Sequence, residues 1–291
     1  MPKHLFSQVD VFCGSPFRGN PVAVVHDAVD DQGEDLDPGL MRAFSRWTNL
    51  SETTFLLPPT DPRADYRLRI LTPHGELPFA GHPTLGSCRA WLAVGGKPAS
   101  EGRVVQQCEA GVVTVRHRGE ELAFAAPPLS RSGPPEAPLR EAVLSALGLS
   151  EDHVLDMEWV VNGPQWLGVL LPDAEAVLAA RPDAMALQAL GGAKIGLIGR
   201  HRAGAEADFE VRAFSPGSSL PEDPATGSLQ AGLAQWLIGA GIAPPSYRAA
   251  QGTVIDRTGR VWIEQERTGD DNVVWVGGQT ALRVAGAVDL T

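Results

Sequence analysis

Read for the spacing of its apolar residues, the chain alternates between two periods. Tyr66, Leu68 and Ile70, and again Phe209, Val211 and Ala213, recur at every second position, which predicts strands. The runs holding Cys88, Trp91 and Leu92 and holding Leu233, Trp236 and Leu237 predict helices, ended by Gly95-Gly96 and by Gly239 and Gly241. Each helix is followed by a predicted strand pair about a polar turn. The first pairs Val112 to Val115 with Leu122 to Phe124 about Arg118-Gly119; the second pairs Val254-Ile255 with Val261 to Ile263 about Thr258-Gly259. Pro127-Pro128 and the stretch from Arg131 to Pro138 break both periods, so a lobe boundary is expected there, with a helix resuming over Glu136 to Leu147.

Comparing the chain with itself uncovers a repeat. ADYRLRILTPHGELP, from Ala64 to Pro78, lies ungapped over ADFEVRAFSPGSSLP, from Ala207 to Pro221. Identities include Asp65/Asp208, Arg69/Arg212, Pro73/Pro216, Leu77/Leu220 and Pro78/Pro221. Beyond each strand, Gly81-His82-Pro83-Thr84-Leu85-Gly86 and Gly227-Ser228-Leu229-Gln230-Ala231-Gly232 carry glycines at the same spacing. Each lobe thus reads strand, turn, glycine, helix, and the duplication spans whole lobes. A glycine opening a helix leaves backbone N–H groups and the positive end of the helix dipole exposed, which suits a carboxylate; alternatively, Gly81 and Gly227 only relax tight turns.

Composition narrows the function. With 291 residues, 43% hydrophobic and 20% charged, the chain can bury a sizeable core, and two domains are expected. A net charge of -11 and no basic run argue against a nucleic-acid partner and favour a small molecule. No apolar stretch approaches the roughly 20 residues of a membrane span, and Met-Pro-Lys-His is not a signal sequence, so no membrane partner and a cytoplasmic location are expected. Cys13, Cys88 and Cys108 form no CxxC pair and the histidines no HExxH, so free thiols and no metal are expected. Gly95-Gly96-Lys97 lacks the rest of a phosphate loop, no GxGxxG follows a strand, and the sequon at Asn49 is a chance match.

SETTFLLP from Ser51, FAGHPTLG from Phe79, EDPATGSLQAG from Glu222 and FRGNPVAVV from Phe17 together resemble the PhzF-like, phenazine-biosynthesis isomerase-like family. QGTVIDRTGRVWIE from Gln251 and VGGQTALRVAGAV from Val276 extend the match, in the family's order, over nearly the whole chain. The resemblance implies a mixed α/β (α+β) chain of the diaminopimelate-epimerase-like fold. Its two pseudo-symmetric lobes would each hold a mostly antiparallel sheet around a central helix, with the active site in the cleft between them. The lobes would be residues 1–127 with about 279–291, and 128–278. A homodimer is expected on family analogy alone.

Amino-acid epimerases of this fold place one cysteine just before each of the two helix-opening glycines. Here Ala80 and Thr226 hold those positions, and neither is an acid or base near neutral pH. The family resemblance instead implies Glu52 as a shuttle that moves a proton within the substrate. His82 is either a helix cap or a hydrogen-bonding partner of substrate or shuttle. Asp223 is either a turn residue or a polar anchor for a substrate amino group. Ser228 caps the second helix or holds a carboxylate with the Gly227 N–H, and Asn20 forms a turn or contacts substrate. Thr226 and Gly81 complete the expected substrate-binding set. The expectation is a cofactor-independent isomerase acting on a small carboxylate-bearing substrate, with Glu52, His82 and Asp223 catalytic. The alternatives are a binding protein without chemistry and an epimerase or racemase using a base pair other than cysteines.

Overall fold

The structure, a computed structural model, describes residues 3–216, 222–269 and 271–290. By contact density the chain divides into two units, 1–125 with 277–291, and 126–276. No helix among the described residues is long and apolar enough to cross a membrane.

The first unit runs β1 (His4–Val11), β2 (Asn20–Val25), α1 (Pro38–Thr48), β3 (Thr53–Leu57), β4 (Tyr66–Leu71), β5 (Glu76–Leu77), α2 (Gly81–Ala93), β6 (Arg103–Cys108), β7 (Gly111–Arg118) and β8 (Glu121–Ala125). The second runs α3 (Ala137–Leu147), β9 (Asp156–Trp159), β10 (Trp166–Leu170), α4 (Ala174–Ala179), α5 (Ala184–Gln188), β11 (Lys194–Arg200), β12 (Phe209–Phe214), β13 (Glu222–Asp223), α6 (Gly227–Gly239), β14 (Ser246–Gln251) and β15 (Gly259–Thr268). The last strand, β16 (Asp271–Val288), begins in the second unit and ends in the first, where residues 280–288 pair antiparallel with β1.

The duplication extends to the strand order. In the first unit β1-β2-β3-β4-β6-β7 follow one another as antiparallel, parallel, antiparallel, parallel and antiparallel pairs. In the second, β9-β10-β11-β12-β14-β15 repeat that sequence of directions. The repeated Asp has one job in both copies. The Asp65 carboxylate accepts the Val105 N–H at 2.7 Å and that of Asp208 accepts the Arg248 N–H at 2.8 Å, each joining a strand to its parallel neighbour. The repeated Arg also recurs in role. Arg69 makes a two-pronged ion pair with Glu76, and Arg212 with Glu222.

That pairing corrects the ungapped alignment. Leu77 pairs with Ile70, and Asp223 with Ala213, the residue equivalent to Ile70. Glu222-Asp223-Pro224 is therefore the structural counterpart of Glu76-Leu77-Pro78, after an insertion of three residues. Leu220 and Pro221, matched to Leu77 and Pro78 by sequence, lie outside the described residues.

Both central helices are buried on almost every side and lie close against their sheets, as a helix enclosed by a sheet must. The shared glycines permit the approach. A Cβ at Gly86 would stand 2.2 Å from Val22 Cγ1, and one at Gly232 2.4 Å from the Val160 carbonyl oxygen. One predicted strand moves: Val254-Ile255 lie in a turn, and the arm that pairs with β15 is β14. Gly252 and Asp256 take left-handed backbone angles, φ +80° and +56°, which break the extended chain between them.

Candidate functional site

In the first unit, α1 starts at Asp37, whose carboxylate caps the Leu40 N–H, and stops at Asn49, in the left-handed conformation. This turns the chain so that Glu52 stands immediately before β3. Gly81 opens α2 after Ala80 with no side-chain cap, so His82 does not cap the helix. Its ring goes to Glu52: Nε2 lies 3.1 Å from Glu52 Oε2, with the side chains 6% and 14% exposed. Burial pulls the His82 pKa from its ordinary 6.5 down to about 3, against a smaller upward pull from a hydrogen bond to the Pro21 backbone. The ring is therefore neutral at physiological pH. Nε2 has no aligned hydrogen-bond partner among the described residues, and the Pro21 carbonyl can only accept. The single ring proton accordingly sits on Nδ1, and Nε2 turns a lone pair toward Glu52. Asn20, fully buried at the start of β2, is the neighbour of Pro21, so the structure gathers Asn20, Glu52, Gly81 and His82 in one place.

The second unit gathers Asp223, Thr226, Gly227 and Ser228. Gly227 opens α6 after Thr226, again with no side-chain cap. The Thr226 hydroxyl donates to Asp223 Oδ2 and accepts from Gln251 Nε2 at 2.8 Å, while the Thr226 N–H donates to Gln251 Oε1 at 3.1 Å. With its N–H and hydroxyl both engaged inside the protein, Thr226 holds Asp223 in place. Asp223 is also tied down through its carbonyl, which accepts from Gln251 Nε2 at 3.0 Å. Ser228 is half-buried; its Oγ accepts from Trp166 Nε1 at 3.0 Å and its carbonyl from Asn162 Nδ2 at 2.9 Å.

Gln251, Trp166 and Asn162 are the residues that sequence reasoning missed. Gln251 had a signal, a lone amide ending an Ala-Ala run. Trp166 reads as core, and it is core; only the direction of its N–H gives it a second role. The three cysteines are buried, none stands at the residue before Gly81 or Gly227, and burial pushes each thiol pKa up. Among the described residues no three His, Cys, Asp or Glu side chains are grouped to hold a metal ion.

The chain has known relatives. A family model described as phenazine biosynthesis-like protein matches residues 9–286. The chain is 36% identical to Antisense-enhancing sequence 1 of Schizosaccharomyces pombe, over 98% of this chain and 99% of that one. It is also 36% identical to trans-2,3-dihydro-3-hydroxyanthranilate isomerase of Pseudomonas fluorescens, over 79% and 78% of the two chains. The crystal structure of a PhzF-family phenazine biosynthesis protein from Enterococcus faecalis superposes with a TM-score of 0.80 at 26% identity, covering 99% of this chain and all of that one. The chain thus belongs to the phenazine biosynthesis-like family and is an isomerase with its mixed α/β, diaminopimelate-epimerase-like fold.

Proposed function

We propose that the protein relocates a proton on a small carboxylate-bearing metabolite that also carries an amino group, the chemical class of trans-2,3-dihydro-3-hydroxyanthranilate, without a cofactor. The observation that carries this reading is the buried contact between Glu52 and a neutral His82.

In the first step a carboxylate oxygen of Glu52 takes an acidic C–H proton, and the electron pair of that bond moves into the substrate's π system. The uncapped starts of α2, at Gly81, and of α6, at Gly227-Ser228, each present N–H donors suited to a carboxylate and to developing negative charge. The new Glu52 O–H has the lone pair of His82 Nε2 as acceptor, which holds the proton while the substrate's electrons rearrange. In the second step Glu52 returns that proton to another carbon. No electron leaves the substrate and no group is transferred. Asp223, held by Thr226, is suited to take an amino group. A two-thiol epimerisation lacks its groups, since Ala80 and Thr226 stand where the thiols would.

Glu52→Gln keeps the shape of the side chain and removes the base. Its turnover should fall by at least about a hundredfold. In deuterated water the wild type should place deuterium on substrate carbon and the variant should not. Undiminished turnover in Glu52→Gln would sink the assignment. The same reading takes the protein as a cytoplasmic homodimer, the dimer resting on the family resemblance alone; sedimentation checks it.

A further inference from the structure

Ser228 is held from one side by a single segment of the second unit. Trp166, the first residue of β10 and only 2% exposed, donates its indole N–H to Ser228 Oγ, and Asn162 donates its amide to the Ser228 carbonyl. An indole nitrogen can only donate, so the serine hydroxyl must accept there, and its proton points elsewhere. No described residue takes that proton. The Ser228 N–H, in the first turn of α6, is likewise outside the intrahelical ladder. Both acceptor atoms of Ser228 are thereby engaged by the protein, and among the described residues neither of its donors is.

We infer that Trp166 and Asn162 are positioning residues that make Ser228 a donor-only anchor, so that this helix start accepts an anionic carboxylate and discriminates against a group that must itself donate. The inference rests on Ser228 touching substrate, as the proposed function has it. In the equivalent place of the first unit stands His82, whose Nε2 offers a lone pair. One start is therefore built to give hydrogen bonds only, and the other has an acceptor beside the shuttle.

The test uses trans-2,3-dihydro-3-hydroxyanthranilate for turnover, and anthranilate and aniline as binding probes with and without the carboxylate. Trp166→Phe keeps an aromatic ring and removes the N–H; KM should rise about tenfold with kcat little changed. In the Ser228→Ala background the same change should add nothing, because the hydroxyl it orients is gone. A fall confined to kcat, or losses that simply multiply, would overturn the inference. Because the indole is part of the core, a second measurement leaves it intact. The nitrogen-15 indole resonance of Trp166, identified by its displacement in Ser228→Ala, should shift with anthranilate and stay still with aniline. A resonance unmoved by anthranilate, or moved equally by both, overturns the inference even where Glu52→Gln has abolished turnover. Turnover surviving Glu52→Gln refutes the proton-shuttle reading instead, and the indole response is scored separately from it.

Discussion

Replacing His82 with Gln should flatten the acid limb of the protein's stability curve. In the folded chain the ring is neutral down to about pH 3, whereas in the unfolded chain it protonates near 6.5. Between those values the unfolded state binds the extra proton, so stability falls as pH falls, and the contribution is fully present only above pH 6.5. Worked through the linkage relation, this one group removes about 2 kcal/mol on going from pH 7 to 5 and about 3 kcal/mol by pH 4. Carboxylates titrate over the same range, so the quantity to follow is the difference between wild type and His82→Gln. Urea unfolding at pH 7, 6, 5 and 4, followed by tryptophan fluorescence, gives that difference directly. The variant should start less stable and close most of the gap by pH 4. Parallel curves would show that the ring charges in the folded state, and the neutral acceptor assigned to Nε2 would be lost with it.

Two further outcomes concern the duplicated framework. Arg212→Ala should cost about 3–5 kcal/mol, because it strands Glu222 in a pair only 5% and 10% exposed and also uncovers the carbonyls of Val177 and Ala180. Arg69→Ala, whose pair is 20% and 31% exposed, should cost about 1 kcal/mol, and equal losses in urea melts would refute the distinction. Within α6, Gly232→Ala should destabilise by about 1–3 kcal/mol because its Cβ meets the Val160 carbonyl. Gly239→Ala, with nothing within 4 Å, should be neutral or stabilising by a few tenths of a kcal/mol, and thermal melts that fail to separate the two would count against the packing argument.

Much of this is legible in the sequence. The alternation about Leu68 and Val211 located the paired strands, and the glycines at 81 and 227 located the starts of both central helices. What escaped has a common cause: it depends on residues far apart in the chain. Trp166 and Ser228 are 62 positions apart, and nothing in the composition around either shows where an indole N–H points. The three-residue insertion was hidden because a second Leu-Pro, at 220 and 221, imitates Leu77-Pro78 in the wrong register. Only ladder pairing to β12 reveals that Pro224 is the true counterpart. Val254-Ile255 looked like a strand by residue type, while the real arm, Ser246–Gln251, carries small alanines that weaken its alternation.

The return of β16 to β1 also sets an order of events during synthesis. The second unit is one continuous stretch and can close as soon as it has been made, whereas the first needs the pairing of His4 with Val288 to finish its sheet. The amino-terminal half therefore leaves the ribosome with one side of β1 unpaired and must wait for nearly the entire chain, a long-range closure that folds slowly and presents an open strand edge in the interval. Truncation after Val276 should consequently injure the half of the protein made first, the one that carries Glu52 and His82.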